Sequence, residues 1–327
     1  MQRFRKILYV HEEGSDVATA TLNLAVDLAN RSGGLVDIIS VVELPPIMFA
    51  SSTAVLLQSR WQKKTEEQLE DLARAVAPNG NLETKVLNGK PHIQIVREVL
   101  RHGYDLVIKP IGPSGLIDRL LGRVDMRLLA HCPCPVWLSK GEAYGAFDHV
   151  LAAVDAAFEA YGGGKVDDEQ AEDALNRQIL ELASSLCADS NTELHVGHAW
   201  YPPFLSTYAR ARAHIPESEI EAYVSGVKRE HANWLKRLMT KASKWVGADV
   251  FKSLKLHTHL RRGGPEEEIP KLISEVQADL VIMGTVARTG ISGLVMGNTA
   301  EKILDRITCS VLAVKPPDFV SNVTLDD

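Results

Sequence analysis

The amino-acid sequence predicts an α/β protein built from two tandem copies of a doubly wound domain with a parallel sheet. Three observations support this prediction: the chain has 327 residues, short β-branched runs alternate with longer helical patterns, and the same landmarks occur twice in the same order. Because a domain commonly has about 150 residues, this length fits two domains. Near-continuous apolar strands separated by helices are typical of parallel strands that are buried on both faces.

The repeat is visible as pairs of short motifs that follow one another in the same order. The segment DLVI, for example, begins at Asp105 and again at Asp279. The spacing between partners is nearly constant over the last third of each copy and changes twice earlier, which indicates two insertions in the second copy. We therefore predict one domain at 1–141, a second at 146–317 and an acidic tail at 318–327.

The elements of the first copy follow from its alternation of apolar runs and helical patterns. Each predicted strand is short and rich in β-branched or other apolar residues, and a longer helical pattern connects it to the next strand. Right-handed crossovers of this kind wind a parallel sheet in both directions from its centre. The predicted elements are strand 7–10, helix 18–31, strand 35–42, helix 60–76, strand 83–87, helix 92–102, strand 106–108, helix 124–131 and strand 136–139.

Composition and charge exclude several classes of protein. Apolar residues make up 45% of the chain and charged residues 24%, which is ordinary for a globular protein and excludes a disordered or collagen-like chain. The net charge of −6 would attract neither nucleic acid nor an anionic membrane. The longest apolar stretch falls well short of the ~20 residues that span a bilayer, so we expect no membrane segment and no signal peptide. The four cysteines are expected to be free thiols in a reducing cytoplasm.

The loops after the first and fourth strands of each copy are the expected ligand positions. In doubly wound sheets, ligands bind outside the carboxyl ends of the strands, where the winding direction reverses. In the second copy these loops begin at Asp155 and Gly284, and the latter continues as GTVARTGISGLVMGNTAE into a helix. Glycine-rich backbone and a helix N-terminus favour phosphate. The alternative is that the glycines only form turns and that Asn298 and Glu301 form a capping box. The spacing alone leaves both interpretations open.

The chain resembles the universal stress protein family, in a form with two domains in tandem. The segments LLAHCPCPVWLSK (128–140), GTVARTGIS (284–292) and GNTAE (297–301) carry the resemblance, which extends over about 4–317. It implies five parallel strands per domain in the order 3-2-1-4-5, and two domains packed as a pseudo-dimer within one chain. It also implies a cytoplasmic stress-response role and leaves a further homodimer open.

Nucleotide-binding members of this family carry the motif Gly-x2-Gly-x9-Gly-Ser/Thr after the fourth strand and an aspartate at the end of the first strand. In the second copy, Asp155, Gly284 and Gly297 match this pattern. Ala287 and Asn298 stand where the second glycine and the hydroxyl residue are expected. A side chain in left-handed backbone costs roughly 1–2 kcal/mol. We therefore predict weakened or altered nucleotide binding.

The resemblance implies a role for each part of this site. Asp155 would accept a hydrogen bond from the ligand, Met283 and Gly284 would line its middle, and the loop with the following helix start would hold its anionic end. The expected ligand is ATP or another nucleotide with Mg²⁺, or an amphiphilic molecule, and we assign no catalytic residue, metal ligand or certain cofactor. The candidate ligand-binding residues are Val154, Asp155, Ala156, Met283, Gly284, Ala287, Arg288, Gly290, Gly297, Asn298, Thr299 and Ala300.

The first copy is expected to have lost this site. His11 stands where the aspartate is expected, Pro110 and Pro113 replace both glycines, and Arg123 follows the last glycine, Gly122. Proline has no backbone N–H to offer to a phosphate group. The sequence therefore predicts one ligand site for the whole chain.

No residue near Gly284 is nominated as a general base or nucleophile, so the sequence favours a protein that is not an enzyme. Two other functions stay open: a slow ATP hydrolase or phosphotransferase, and a protein-interaction module without a ligand. Apolar loops at 45–57 and 201–215 would either wall a cavity or pack between the domains.

Four histidines of the second copy have two interpretations. His257 and His259 lie on one face of a strand, whereas His195 and His198 point to opposite faces of the neighbouring strand. Three of them could hold one zinc ion, or these polar side chains could simply discourage strand pairing at a sheet edge.

Overall fold

The computed structural model describes residues 4–43, 52–78, 82–111, 123–143, 146–156, 169–188, 190–202, 216–286 and 296–325. These residues form two compact units. Unit 1 contains the described residues up to Phe147 together with those from Thr285 onward, and unit 2 contains those from Asp148 to Gly284. Both units have the predicted α/β structure with a mostly parallel sheet.

Strands and helices alternate along most of the described chain. Their bounds are β1 (Lys6–His11), α1 (Ala18–Ser32), β2 (Leu35–Val42), α2 (Ser52–Val76), β3 (Glu83–Asn88), α3 (Pro91–His102), β4 (Leu106–Pro110), α4 (Arg123–His131), β5 (Val136–Ser139), β6 (His149–Ala153), α5 (Glu169–Cys187), β7 (Glu193–Trp200), α6 (Glu217–Val246), α7 (Ala248–Ser253), β8 (Lys255–Arg262), α8 (Pro265–Glu275), β9 (Leu280–Gly284), α9 (Asn298–Leu304) and β10 (Ser310–Val314).

The sheet of unit 1 has the predicted order. Strands β1 to β5 are parallel and lie in the order β3-β2-β1-β4-β5, and β10 is added antiparallel to β5. All five residues of β4 are buried, and Leu8 and Tyr9 of β1 have no exposed surface. This double-sided burial explains why the strands appear in the sequence as continuous apolar runs rather than as an alternating pattern.

The predicted elements of the first copy match the observed ones closely, with one exception. Helix α2 begins at Ser52 and not at residue 60, so the prediction of a loop through Leu57 was wrong. Residues 52–59 contain neither proline nor glycine, and nothing in this stretch interrupts the helix. The remainder of that loop, and most of the second apolar loop, lie outside the described residues.

Unit 2 contains four parallel strands in the order β8-β7-β6-β9. This is the 3-2-1-4 part of the predicted order. The candidate fifth strand of the second copy is β10, which belongs to unit 1, where it pairs with β5. The predicted domains at 1–141 and 146–317 describe the two copies of the repeat. They differ from the two compact units, and they therefore stay a prediction. Within the described part of the chain, no helix has both the length and the apolar composition needed to cross a bilayer.

Replacement of Gly34 by alanine is expected to destabilise unit 1. A Cβ atom at Gly34 would lie 2.6 Å from the carbonyl oxygen of Arg5 and 2.7 Å from its Cα. The same oxygen accepts a hydrogen bond from the N–H of Leu35 at 2.8 Å, so this backbone cannot move away without losing that bond. Overpacking of this kind costs typically about 1–3 kcal/mol, measurable by urea unfolding.

The matched control is Gly226→Ala in helix α6. Apart from the neighbouring backbone of its own helix, no heavy atom of the described residues lies within 4 Å of a Cβ built at Gly226. Because alanine is the better helix former, this variant should gain about 0.5–1 kcal/mol. A loss at Gly226, or no loss at Gly34, would contradict the contacts described above.

Candidate functional site

The carboxyl ends of β6 and β9 bring the two predicted site loops of unit 2 together. The strands are parallel neighbours, and Ala153 is paired with Met283. Val154 and Met283 are each 3% exposed, whereas Asp155 is exposed. The structure thus places the start of the first loop beside the end of the fourth strand of the second copy, as the topological rule predicts.

Hydrogen bonds to helix α5 hold Asp155 in place. The side-chain amide of Asn176 donates to the carbonyl oxygen of Asp155 at 2.8 Å, and its oxygen accepts the Asp155 N–H at 3.2 Å. The carboxylate Oδ1 accepts the N–H of Ala156 at 2.9 Å. Asn176 is only 3% exposed. The N–H and the carbonyl oxygen of Asp155 are thus both hydrogen-bonded to one buried side chain. Its exposed carboxylate is therefore a pre-organised acceptor for a ligand hydroxyl or amino group.

Gly284 is also constrained by α5. A Cβ atom at this position would lie 2.7 Å from Cδ2 of Leu175. The chain therefore leaves β9 in close contact with the helix that also carries Asn176. This tight packing explains a glycine at this position independently of any phosphate.

Two buried histidines lie behind the loop that starts at Val154. His198 Nδ1 is 3.3 Å from the carbonyl oxygen of Val154, and His198 Nε2 is 2.8 Å from Nδ1 of His231 on α6. The His198 and His231 rings are stacked with centroids 5.0 Å apart, and Trp234 lies 4.7 Å from the His198 ring. Burial, together with the charge that His198 would carry, lowers the pKa of His231 to about 4, against a smaller opposing effect of Asp155. His231 is therefore expected to be neutral at physiological pH.

The second half of the predicted site is described only in part. Ala287, Arg288 and Gly290 lie outside the described residues. In unit 1, Gly297 is the N-cap residue of α9, and its N–H donates to the carbonyl oxygen of Thr285 at 3.0 Å. Asn298, Thr299 and Ala300 form the first turn of the helix, and the first two of these side chains are exposed.

The capping-box interpretation of Asn298 is wrong. The N-cap of α9 is Gly297, and it has no side-chain cap hydrogen bond. Asn298 is inside the helix, where its side chain cannot fill the N-cap role. The exposed amide of Asn298 and hydroxyl of Thr299 therefore serve no helix cap in this structure.

The equivalent strand end of the first copy contains a buried ion-pair cluster. Lys109 occupies the position of Met283, and its side chain is 4% exposed. Its ammonium group lies 2.9 Å from Oδ1 of Asp125, which is 5% exposed, and also pairs with Glu12. Lys109 Nζ further donates to the carbonyl oxygen of Pro110 at 3.1 Å. Pro113 and Gly122 lie outside the described residues.

The sequence missed several residues that shape these strand ends. Asn176, His231 and Trp234 come from helices α5 and α6, far from the loop motifs in the chain. The helical spacing of His231 and Trp234, three residues apart, is a signal that they share a face. The ion-pair partners of Lys109 have no such signal.

The histidines of β7 and β8 point as the sequence predicts. His198 faces α6, whereas His195 on the same strand contacts His259 of β8, with 3.0 Å between His195 Nδ1 and His259 Nε2. The rings of His195 and His257 are stacked with centroids 5.0 Å apart.

All four cysteines are free thiols, with the sulfur atoms of Cys132 and Cys134 separated by 3.6 Å.

The fold and the strand-end residues define an α/β protein of the doubly wound class with polar groups gathered at the carboxyl edge of the sheet. The chain belongs to the universal stress protein family, whose family model matches residues 3–140 and 147–315. The two matches confirm the tandem organisation that the resemblance implied.

Several relatives resemble this chain over most of its length. Universal stress protein E of Escherichia coli (strain K12) is 30% identical over 338 aligned residues, covering 100% of this chain and 99% of that protein. A universal stress protein E homolog of Haemophilus influenzae is 32% identical over 233 residues, or 71% of this chain and 68% of that protein.

Two solved structures share the fold. A functionally unknown protein from Pseudomonas aeruginosa PAO1 has a TM-score of 0.60 and 24% identity, covering 97% of this chain and 94% of that one. A universal stress protein from Archaeoglobus fulgidus has a TM-score of 0.60 and 18% identity, covering 96% of this chain and 97% of that one.

Proposed function

We propose that this chain is a cytoplasmic stress-response protein that is not an enzyme and that binds a nucleotide or a nucleotide-like, amphiphilic ligand at the carboxyl ends of β6 and β9. One observation carries the proposal. Asn176 holds the backbone of Asp155, and the exposed carboxylate of Asp155 accepts the N–H of Ala156, just beyond the strand end where Ala153 is paired with Met283. This is the position that the family resemblance gives to the aspartate of nucleotide-binding members.

The surroundings of Asp155 support a ligand with both polar and apolar parts. The carboxylate lies next to buried apolar residues at the strand ends, namely Val154, Ala156 and Met283. Ligand sites are commonly apolar with a few placed polar groups that fix orientation. In the proposed complex, Asp155 accepts a hydrogen bond from a ribose hydroxyl or an equivalent donor, while the apolar residues contact the body of the ligand.

The anionic end of the ligand is assigned from the sequence pattern alone. Gly297, Asn298, Thr299 and Ala300 match the family's phosphate-holding segment, with Asn298 in place of its hydroxyl residue. Mg²⁺ would accompany the phosphates as part of the ligand. We propose no ligand site in the first copy, because the paired ammonium group of Lys109 lies at the corresponding strand end.

Native and denaturing mass spectrometry of the purified full chain is the first test. A nucleotide-sized mass released on denaturation supports the proposal and shows that Ala287 and Asn298 are tolerated. A larger amphiphile supports the amphiphilic form of the same proposal. An empty protein that also fails to bind Mg-ATP in a calorimetric titration contradicts it and favours the protein-interaction module.

Asp155→Asn is expected to weaken binding of the identified ligand about 10- to 100-fold. The variant keeps the shape of the side chain but removes the charge from a charge-assisted hydrogen bond, which is worth about 1.5–3 kcal/mol. Isothermal titration calorimetry measures the change. Asp249→Asn, on the exposed start of α7 in the same unit, is the matched control and should bind like the wild type. Equal affinity in both variants would remove Asp155 from the site.

Phosphate release tests the enzymatic alternative with the same proteins. A non-enzymatic binder gives no release above the buffer rate. Steady release that persists through purification and is lost in Asp155→Asn would identify a hydrolase instead.

A further inference from the structure

A second group of polar side chains lies near the amino ends of the unit 2 strands. It is on the face of the sheet opposite to the one from which His198 contacts α6. We call it the histidine cluster, and it consists of His149 on β6, Glu193 and His195 on β7, and His257 and His259 on β8. His149 is paired with Glu193, and His195 with His257, in the parallel register. Paired and alternate residues of parallel strands project to one face, so all five side chains share it.

Three ligand atoms of the histidine cluster surround one point. His149 Nδ1 and His195 Nε2 are 3.2 Å apart, and each lies 3.8 Å from Oε2 of Glu193. In the plane of three atoms with these separations, the point equidistant from them lies about 2.1 Å from each, which is the usual length of Zn–N and Zn–O bonds. The three groups thus have the spacing of a metal-binding triad without rearrangement of the strands.

The remaining two histidines support these three groups. His195 Nδ1 lies 3.0 Å from Nε2 of His259, and His257 Nε2 lies 3.3 Å from Oε2 of Glu193. A metal-bound histidine usually donates its other ring N–H to a fixed acceptor, which sets the tautomer and the ring orientation. With Nε2 of His195 on a metal, its Nδ1–H would donate to His259, and His257 would donate to the carboxylate.

The electrostatics of the histidine cluster favour the neutral form of its innermost imidazole, His195. Burial, together with the charges that His259, His257 and His149 would carry, lowers the pKa of His195 to about 4. Arg261 faces the same side but is paired with Glu275 through bonds of 2.6 and 2.7 Å and with Glu268 at 3.3 Å. Unprotonated nitrogens with one carboxylate suit zinc and similar transition metals, whereas Mg²⁺ and Ca²⁺ prefer oxygen ligands.

Solvent can reach the cluster. His195 is 6% exposed, but the side chains of His149 and Glu193 are 31% and 37% exposed. An ion can therefore approach from the side of these two residues while His195 forms the inner wall. The arrangement leaves one coordination position for water, as three-ligand zinc sites do.

We propose that the histidine cluster binds one divalent transition-metal ion of the zinc type through His149 Nδ1, His195 Nε2 and Glu193 Oε2. This site is separate from the proposed ligand site, because His149 and Glu193 are the first residues of their strands whereas Asp155 follows a strand's carboxyl end. The ion links β6 to β7, and metal binding of this kind contributes to folding stability.

The test is a metal titration of the full chain after removal of metal by a chelator. Co²⁺ is followed by its visible ligand-field absorption, and Zn²⁺ by competition with a chromophoric chelator. The wild type should bind one Zn²⁺ that displaces Co²⁺ and should melt at a higher temperature with Zn²⁺. The double variant His149→Gln, Glu193→Gln should bind this ion at least 100-fold more weakly and lose both the absorption and the thermal shift.

Graded variants separate coordination from a general effect on structure. His259→Gln, which keeps all three ligands, should weaken binding about 10- to 100-fold, as loss of an outer hydrogen-bond partner does. His102→Gln, on the exposed end of α3 in unit 1, is the control and should bind like the wild type. Because His149 and Glu193 are partly exposed, the double variant His149→Gln, Glu193→Gln should fold, as circular dichroism will verify.

Two results would overturn the proposal. One is a double variant that binds Zn²⁺ within about twofold of the wild type while remaining folded. The other is a wild type that gives no Co²⁺ absorption above that of the double variant, in which case the four imidazoles and the carboxylate form only a hydrogen-bonded network.

Discussion

Lys109→Met is expected to reduce the free energy of unfolding by about 3–5 kcal/mol. Methionine is the residue at the equivalent position of the second copy, Met283, so the substitution restores an apolar strand end. It also removes the ammonium group that lies 2.9 Å from the carboxylate of Asp125, a side chain that is only 5% exposed. Loss of one partner from a buried ion pair costs this much because the other charge stays desolvated. Urea unfolding at neutral pH measures the effect.

Two companion variants identify the cause of this loss. Lys109→Met combined with Asp125→Asn removes both buried charges and should recover most of the stability. Lys64→Met breaks an ion pair with Glu13 in which both side chains are more than half exposed, and it should cost less than about 1 kcal/mol. If Lys109→Met costs no more than Lys64→Met, the buried ion-pair cluster does not form as described.

This cluster also gives a physical reason for the asymmetry between the two copies. The sequence predicts a lost site in the first copy from His11 and the prolines, because proline cannot offer an N–H to phosphate. The structure adds that the strand end contains a paired ammonium group held by Glu12 and Asp125. A phosphate would have to compete with two carboxylates for Lys109. The first copy therefore has a paired ammonium group at the position that the apolar Met283 occupies in the second copy.

Local and periodic features were predictable from the sequence, and contacts between distant elements were not. The alternation of strands and helices follows from residues close together in the chain, and the pairing of β6 with β9, which brings their carboxyl ends together, follows from a topological rule. The clamp of Asp155 by Asn176 depends on how α5 packs on the sheet, which no spacing reveals. The capping-box alternative for Asn298 fails because the helix starts one residue earlier than that box requires.

The histidine cluster shows the same division. Strand periodicity places His257 and His259 on one face and separates His195 from His198. The convergence on His195 also needs His149, and that contact depends on the pairing of β6 with β7, which the sequence does not show. A metal interpretation therefore could not be distinguished from an edge-protection interpretation until the register was known.

Acidification is expected to destabilise unit 2 steeply between about pH 6.5 and pH 4. His195 and His231 both have pKa values lowered to about 4, mainly by burial, whereas an unfolded histidine titrates near 6.5. In this window the unfolded chain binds protons that the folded chain does not. Stability is therefore present above pH 6.5 and is lost as the pH falls towards 4.

The size of the effect follows from the number of protons. Each histidine contributes a slope of up to about 1.4 kcal/mol per pH unit, so the two together give up to about 3 kcal/mol per unit in the middle of the window. The groups that face them modulate this slope: His149, Glu193, His257 and His259 act on His195, while His198 and Asp155 act on His231. Urea unfolding at a series of pH values with a chelator present, followed by circular dichroism, measures it.

Variants that remove one titrating group at a time test this assignment. His231→Asn should reduce the slope by up to about 1.4 kcal/mol per pH unit, because one proton fewer is then taken up on unfolding. His102→Gln removes a histidine of unit 1 and is the control for the loss of an imidazole outside unit 2. A wild type whose stability stays flat between pH 6.5 and 4.5 would mean that these imidazoles are already protonated in the folded protein. The hydrogen-bonded pair formed by His198 and His231 would then need a different account, because two imidazolium rings stacked 5.0 Å apart repel each other.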